Sequence, residues 1–323
     1  MGLLVEGKWR DERVDTKSTG GRFERKQSAF RDWVSADGSS GFKAEADRYH
    51  LYVSLACPWA HRTVIFRKLK KLEGVIGLSI VDPLMGDQGW AFSNGPGTIP
   101  DTLNGATHLH QIYTAAAPDY TGRVTVPVLW DRAKGTVVNN ESSEIIRMLN
   151  SEFDALGDAS LDFYPGALRD AIDEQNALIY PNVNNGVYRC GFATTQEAYE
   201  EAFVVLFETL DRLEKGLGSQ RYLVGARVSE ADWRLFTTLV RFDAVYVGHF
   251  KCNLQRIADY PNLSSYLRDL YQTPGVAETV NFDHIKRHYY QSHRNINPTG
   301  VVPVGPALEL ESPHGREALG SLG

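Results

Sequence analysis

Apolar residues alternate along Leu51, Val53 and Leu55, with Tyr52 and Ser54 between them, and this period of two predicts a strand entered near Tyr49. The period then changes. Pro58 suits a first helical turn, where its missing N–H costs nothing, and Ile65, Leu69 and Leu72 recur at i, i+4 and i+7. A strand therefore runs into Cys57 and a helix leaves it. Ile76, Leu78 and Ile80 alternate again, and a helix of about a dozen residues between two strands makes them parallel neighbours, a βαβ unit. The same helix carries Arg62, Arg67, Lys68, Lys70 and Lys71, a charge run read as its solvated face.

Between Pro83 and Tyr120 the chain turns Gly-, Pro- and Asn-rich over a stretch far longer than the ~4–6 residues of an ordinary connection, which predicts a functional insert or cover. Val124-Thr-Val-Pro-Val-Leu-Trp-Asp reads as a strand that Pro127 confines to an edge or a start, and Thr136-Val-Val as a second strand. Asn139-Asn-Glu-Ser-Ser-Glu opens a helix carrying Ile145, Ile146 and Leu149, its polar cluster placed to cap the N-terminus. From about Asp162 onward helical periods dominate: Phe203, Phe207 and Leu210 make one apolar face, Leu263, Tyr266 and Leu270 another. The sharpest local signal is Val228-Ser-Glu-Ala-Asp-Trp, where Ser229 and Asp232 form a capping box. The first ~40 residues show no sustained period and read as an arm laid over the fold. After Pro298-Thr-Gly the chain is again aperiodic, an extended tail. These signals divide the chain into an arm over 1–45, an α/β region over 46–155 and an all-helical region with its tail over 160–323.

Composition narrows the function. The chain has 323 residues, 42% hydrophobic and 23% charged, which suits a folded globular protein of two modest domains. A net charge of −6 supplies no positive field for a polyanion, so no nucleic-acid partner is expected. No apolar run approaches the ~18 residues of a membrane span, and the N-terminal sequence lacks a secretory core. A cytosolic protein without membrane partners is the expectation. The three cysteines, Cys57, Cys190 and Cys252, are too few and too far apart for a disulfide framework, and no Cys-x-x-Cys pair is present. Cys57 and His61 lie one helical turn apart, but two ligands do not make a zinc site, so no metal is expected. Walker A, Gly-x-Ser-x-Gly and His-Glu-x-x-His patterns are absent. What remains is the thiol. A cysteine opening a helix has its thiolate stabilised by backbone N–H groups and the positive end of the helix dipole, which makes Cys57 the candidate nucleophile. The third residue after it is Ala60, so no resolving cysteine follows and an external thiol must release any mixed disulfide. Cys190 and Cys252 read as core or surface thiols.

Strand-Cys-Pro-helix, Val126-Pro127 entering a strand and Asn140-Glu-Ser-Ser at a helix start, followed by an all-helical half, resemble the glutathione transferase architecture. Six longer segments are more specific: Cys57-Pro-Trp-Ala-His-Arg, Arg123-Val-Thr-Val-Pro-Val-Leu-Trp-Asp, Asn139-Asn-Glu-Ser-Ser-Glu-Ile-Ile-Arg, Tyr180-Pro-Asn-Val-Asn-Asn-Gly-Val-Tyr-Arg, Arg241-Phe-Asp-Ala-Val-Tyr-Val-Gly-His-Phe-Lys and Asn295-Ile-Asn-Pro-Thr-Gly. Together with Lys17-Ser-Thr-Gly-Gly-Arg-Phe in the arm, they resemble the glutathionyl-hydroquinone reductases, the Xi class. Ala56 departs from the Asn expected before the cysteine in many members.

The resemblance implies an α/β plus all-α fold, a thioredoxin-like domain followed by a helical glutathione-transferase-type domain, in a cytosolic homodimer. It implies a cis Pro127 with the Val126 backbone offered to glutathione like an added strand. Glu141 and Ser142 would hold the γ-glutamyl end of glutathione, with Arg123 and Trp90 completing the pocket; local sequence alone allows plain helix capping for Glu141 and Ser142, and loop packing for Trp90. Tyr188, Tyr246 and Tyr289 would line the aromatic site from the helical domain, with Tyr290 an alternative to Tyr289. Cys57, Tyr188 and Tyr289 are the catalytic candidates, glutathione is the cosubstrate, and the implied reaction is reduction of glutathionyl-hydroquinones. Two rivals stay open: a dehydroascorbate or mixed-disulfide reductase in the manner of the Omega class, and a non-catalytic glutathione-fold binding protein.

Overall fold

The computed structural model describes residues 2–12 and 15–320, so Met1, Arg13 and Val14 of the arm and residues 321–323 of the tail lie outside the described residues. The arm begins with order of its own. β1 (Leu3–Val5) and β2 (Lys8–Arg10) pair as a hairpin around Glu6 and Gly7, both at positive φ, the two-residue turn whose twist matches antiparallel strands. A Cβ on Gly7 would lie 1.9 Å from the Pro118 carbonyl oxygen, so glycine is required there by space as well as by φ. This hairpin corrects the expectation of a purely extended arm. Three-residue strands are too short to show a period, and β1 is held by a distant segment, β7, described below.

β3 (Tyr49–Val53) leads to α1 (Pro58–Leu69), then to β4 (Gly77–Ile80), which runs parallel to β3 in the register Leu51 with Leu78. All five residues of β3 are buried, not only the apolar alternates. Tyr52 achieves this by donating its hydroxyl to Asp101 Oδ1 at 3.0 Å. The long segment that follows contains β5 (Met85–Gly86) and β6 (Gly89–Trp90), a small hairpin, and then α2 (Leu109–Ala116), whose buried Leu109, Ile112 and Tyr113 stand at helical spacing. Reading 83–120 as insert alone missed this helix, because eight residues show barely two turns of pattern. β7 (Gly122–Arg123) pairs with β1, completing a three-stranded sheet in the order β2-β1-β7. β8 (Val128–Asp131) starts directly after Pro127, lies antiparallel to β3 and pairs with β9 (Thr136–Asn139), and α3 (Ser142–Ser151) follows. The order β4-β3-β8-β9, with α1 packed on α3 and α2 on β9, is a thioredoxin-like layer.

The helical half holds α4 (Arg169–Ile179), α5 (Gly186–Gly191), α6 (Gln196–Leu217), α7 (Glu230–Arg241) and α8 (Pro261–Tyr271). α7 begins with the expected capping box of Ser229 and Asp232, and Asp232 also accepts the Leu223 amide and the Tyr266 hydroxyl, at 2.9 and 2.8 Å. Leu263, Tyr266 and Leu270 of α8 are fully buried. A last helix, α9 (Phe282–Arg287), follows. Three helical segments end in π turns, at Tyr180–Asn184, Phe242–Tyr246 and His288–Ser292. Such turns carry one extra residue and gather at functional sites.

The chain forms two compact units. The first takes Met1–Val14, Lys26–Leu161 and Glu278–Arg294; the second takes Asp15–Arg25, Asp162–Ala277 and Asn295–Gly323. Segment 278–294, assigned from the sequence to the helical region, thus belongs with the thioredoxin-like unit. Contacts made across 188 or more positions decide this: His288 Nδ1 meets the Pro83 carbonyl at 2.9 Å, the Met85 amide donates to Ser292 Oγ at 3.0 Å, and His284 Nε2 meets the Pro96 carbonyl at 2.8 Å. The tail also departs from a loose segment. Arg316 is buried at its end and donates to the carbonyls of Leu217, Gln220 and Arg221.

Candidate active site

Cys57 occupies the N-cap of α1 in extended backbone conformation, with Pro58 as the first helical residue. Its amide donates to the Ser54 carbonyl at 3.1 Å and its own carbonyl receives the His61 amide at 2.9 Å, so the helix is closed immediately behind the thiol. The residue is only partly exposed. Its Sγ lies 3.6 Å from the carbonyl oxygen of Val126, to which the thiol can donate, and the Val126–Pro127 bond is cis. The thiol therefore sits at the positive end of a helix, which favours an anionic sulfur, and beside the buried Val126 backbone ahead of β8. One turn into the helix, His61 is buried, its Nε2 engaged with Thr279 Oγ1 at 2.8 Å. Among the described residues no group of three or more His, Cys, Asp or Glu is placed to hold a metal ion.

A second helix N-terminus belongs to the same unit. Glu141 is the N-cap of α3: its Oε1 accepts the Ser143 amide at 3.1 Å and the Ser143 hydroxyl at 2.9 Å, and its Oε2 accepts Ser28 Oγ at 3.1 Å. Capping is thus real here, and it holds a carboxylate beside the buried Ser142. Arg62 reaches Ser142 Oγ at 3.4 Å and lies over the Trp59 ring at 4.6 Å. Arg62 and Lys70 correct the reading of a solvated charged face on α1. Both are buried, Lys70 donating to Asp154 Oδ1 at 2.8 Å and to the Leu161 carbonyl at 2.6 Å. Partners 80 or more positions away make that burial possible, and no local pattern reports them.

Arg123, in β7, donates to the carbonyls of Gly2 and Glu12, at 3.2 and 3.0 Å, and so ties the arm down. Burial pushes its ionisation below the usual arginine range. Trp90 is buried in β6, its ring stacked on His288 with centroids 4.7 Å apart. Next to His288, Tyr289 is buried and meets His293 edge to face at 5.4 Å, while Tyr290 is half-buried. Tyr289 and Tyr290 therefore belong to the unit that holds Cys57, not to the helical unit from which they were expected to act. Tyr188 and Tyr246 do lie in the helical unit, in one aromatic cluster with ring centroids 6.2 Å apart. Phe250 joins them, stacked on Tyr246 at 5.4 Å and edge-on to Tyr188 at 5.5 Å.

Family models match both halves of this layout: residues 56–152 match the glutathione S-transferase N-terminal domain and residues 196–269 the C-terminal domain. The chain is 60% identical over 324 aligned residues to the glutathionyl-hydroquinone reductase YqjG of Escherichia coli, covering 98% of this chain and 99% of that protein. It belongs to the glutathionyl-hydroquinone reductase family. Among solved structures, glutathione-bound YqjG, described as a glutathione transferase homologue from Escherichia coli K-12, aligns with a TM-score of 0.90 at 56% identity over 98% of this chain and 99% of that one. A Xi class glutathione transferase from Natrialba magadii aligns with a TM-score of 0.93 at 49% identity, over 99% and 98% of the two chains. Within this family member, Arg62, His288 and Arg316 are the residues that sequence reasoning missed. Arg62 carried a signal, a cation one turn into the helix that Cys57 opens; His288 and Arg316 carried none that a local pattern exposes.

Proposed function

We propose that this protein reduces glutathionyl-hydroquinones to hydroquinones with glutathione as cosubstrate. The observation that carries the reading is the Cys57 thiol at the head of α1, 3.6 Å from the Val126 carbonyl that precedes the cis proline. Glutathione bound along the Val126 backbone edge brings its sulfur toward Cys57, in the manner of a strand added to a sheet edge. Glu141 supplies a carboxylate for the γ-glutamyl ammonium, and Ser142, with the N-terminus of α3, supplies donors for the α-carboxylate. Arg62 holds Ser142 in place, and Arg123 and Trp90 close the pocket.

The Cys57 thiolate attacks the sulfur of the glutathionyl group, a cysteine–glutathione disulfide forms, and the carbon–sulfur bond breaks. The electron pair of that bond goes to the ring carbon, which takes a proton from a tyrosine hydroxyl; Tyr188 and Tyr289 are the candidates, with Tyr246 and Tyr290 contributing to the aromatic walls. A glutathione thiolate then attacks the mixed disulfide, releasing glutathione disulfide and restoring Cys57. The sum is one glutathionyl-hydroquinone and one glutathione converted to one hydroquinone and one glutathione disulfide. Ala60 in the position of a resolving cysteine is consistent with release by this external thiol.

Incubating the protein with a glutathionyl-hydroquinone and glutathione is expected to yield free hydroquinone and glutathione disulfide in equal amounts. Faster turnover of dehydroascorbate would favour an Omega-like reductase, and no turnover of either would leave a binding protein. We further propose a cytosolic homodimer, for which the molar mass in solution is the direct measure.

A further inference from the structure

The two stretches assigned above to glutathione, the backbone at Val126 and the N-terminus of α3, are joined by one hydroxyl. Tyr113, in α2, is fully buried. Its hydroxyl donates to the Thr125 carbonyl at 2.8 Å and accepts the Thr125 amide at 3.2 Å and Asn140 Nδ2 at 3.0 Å, so its one donor and both acceptor sites are engaged. Thr125 Oγ1 lies 3.4 Å away. Thr125 directly precedes Val126, and Asn140 directly precedes Glu141. Burial pushes the Tyr113 pKa above the usual tyrosine range, which keeps in place the proton that the Thr125 carbonyl receives. The arm supports the junction as well: the Phe30 amide donates to Asn140 Oδ1 and the Asn140 amide to the Phe30 carbonyl, both at 3.1 Å. The Phe30 ring meets Tyr113 edge-on at 5.8 Å. All of these residues lie within the first compact unit, as do Cys57, Glu141 and Ser142.

We propose that Tyr113 is a positioning residue that fixes the spacing between the two ends of the glutathione site and so gives that site its preference for a γ-glutamyl thiol. This rests on the glutathione reading above. With both Thr125 backbone groups on one oxygen, the chain cannot rotate at Thr125 without breaking two hydrogen bonds, and Asn140 is held to the same atom. A ligand that spans both stretches, its cysteinyl part at Val126 and its γ-glutamyl part at Glu141 and Ser142, meets contacts already set at the right separation. Its second contact then needs little further ordering. A thiol that reaches only Val126 draws nothing from the link. The Tyr113 hydroxyl therefore acts on recognition of the whole tripeptide, not on the reactivity of Cys57.

Thiolation of Cys57 by two disulfides separates these roles. In each case the Cys57 thiolate attacks one sulfur, a mixed disulfide forms and the other half leaves as a thiolate, so the disulfide itself is the oxidant. Glutathione disulfide carries the γ-glutamyl group; the disulfide of cysteinylglycine lacks it. Rates followed by mass spectrometry should favour glutathione disulfide in the wild type. Tyr113→Phe is expected to slow the glutathione reaction about 3- to 10-fold, the scale of one hydrogen bond, and to leave the cysteinylglycine reaction nearly unchanged. Each compound is compared with itself across variants, so its intrinsic reactivity cancels. Asn140→Ala breaks the same link from its other end and should show the same selective loss, with no further loss in the double variant; it carries the test by itself if Tyr113→Phe does not fold. Asp131→Asn removes a buried ion pair at the end of β8 without touching the link, and should keep the wild-type preference. An unchanged preference in Tyr113→Phe or Asn140→Ala, or equal slowing of both disulfides, would overturn the inference. A wild-type protein with no preference for glutathione disulfide would instead sink the glutathione reading on which the inference rests.

Discussion

Cys57→Ala is expected to lower hydroquinone release by ~10³-fold or more, since no other thiol can replace a nucleophile seated at a helix start. Cys190→Ser and Cys252→Ser should keep most activity. Both residues are buried in the helical unit, and burial pushes the Cys252 thiol above its ordinary range, which disfavours the reactive thiolate. Mass spectrometry after treatment with glutathione disulfide should accordingly find one glutathione adduct, on Cys57; an adduct on either buried thiol would contradict this. Glu141 offers a finer test because it has two jobs that separate chemically. Glu141→Gln keeps an acceptor for the Ser143 amide but removes the charge offered to the γ-glutamyl ammonium. Its KM for glutathione should rise by ~10-fold, the scale of a charge-assisted hydrogen bond, with little change in melting temperature. Glu141→Ala should add a loss of ~1 kcal/mol in stability as the cap disappears. If Glu141→Gln binds glutathione normally, capping is the residue's whole role.

At the scale of elements, β8 carries both the cis-proline edge and one half of a buried ion pair. Arg48, just ahead of β3, donates to the Asp131 carboxylate at the end of β8 with contacts of 3.1, 3.2 and 2.7 Å, locking the two central strands at their register pair of Tyr49 and Asp131. Burial alone pushes the Asp131 carboxyl up, but hydrogen bonds from Arg48 and from the Ala133 and Lys134 amides outweigh it, and the net shift is downward. A carboxyl depressed in the folded state gives its full stabilisation above the unfolded value near ~4, and loses it as the pH falls through the lower folded value. Denaturant titrations across this range should show stability falling below about pH 4. Asp131→Asn should cost ~2–3 kcal/mol at neutral pH and flatten that acid dependence. An unchanged acid limb in the variant would mean that other carboxylates carry it. Strand identity and the parallel β3–β4 pairing were readable from alternation and from the helix between them. The full burial of β3 was not, because it depends on Asp101 receiving the Tyr52 hydroxyl from another part of the chain.

At the scale of the molecule, each unit is closed by a segment far from it in sequence. In the helical unit Arg316 is the closing residue. Its guanidinium is buried among the carbonyls of Leu217, Gln220 and Arg221 and also reaches Ser265 Oγ at 3.2 Å. Arg316→Ala would leave several buried acceptors unpaired and should cost ~3 kcal/mol or more, read as a melting temperature lower by several degrees. Turnover measured well below that temperature should stay near the wild-type rate; lost turnover in a folded variant would give the tail a part in the chemistry. In the thioredoxin-like unit the closing segment is 278–294, which stacks His288 on Trp90 and sets Tyr289 edge to face with His288.

What the sequence determined by itself is whatever a few neighbouring residues decide: the strand that runs into Cys57, the proline that starts α1 behind it, the caps at Glu141 and Ser229, and the succession of β3, α1 and β4 and of β8, β9 and α3. These follow from backbone sterics and periodicities that act over one or two turns. Only the tertiary structure decided that Arg62 and Lys70 are core residues, that the arm opens with a hairpin, that Tyr113 meets Asn140, and that Tyr289 joins the unit of the thiol. Each of these depends on a partner tens to hundreds of positions away. The free energy of burying a charge or a ring is set by the group it meets, and local sequence does not name that group.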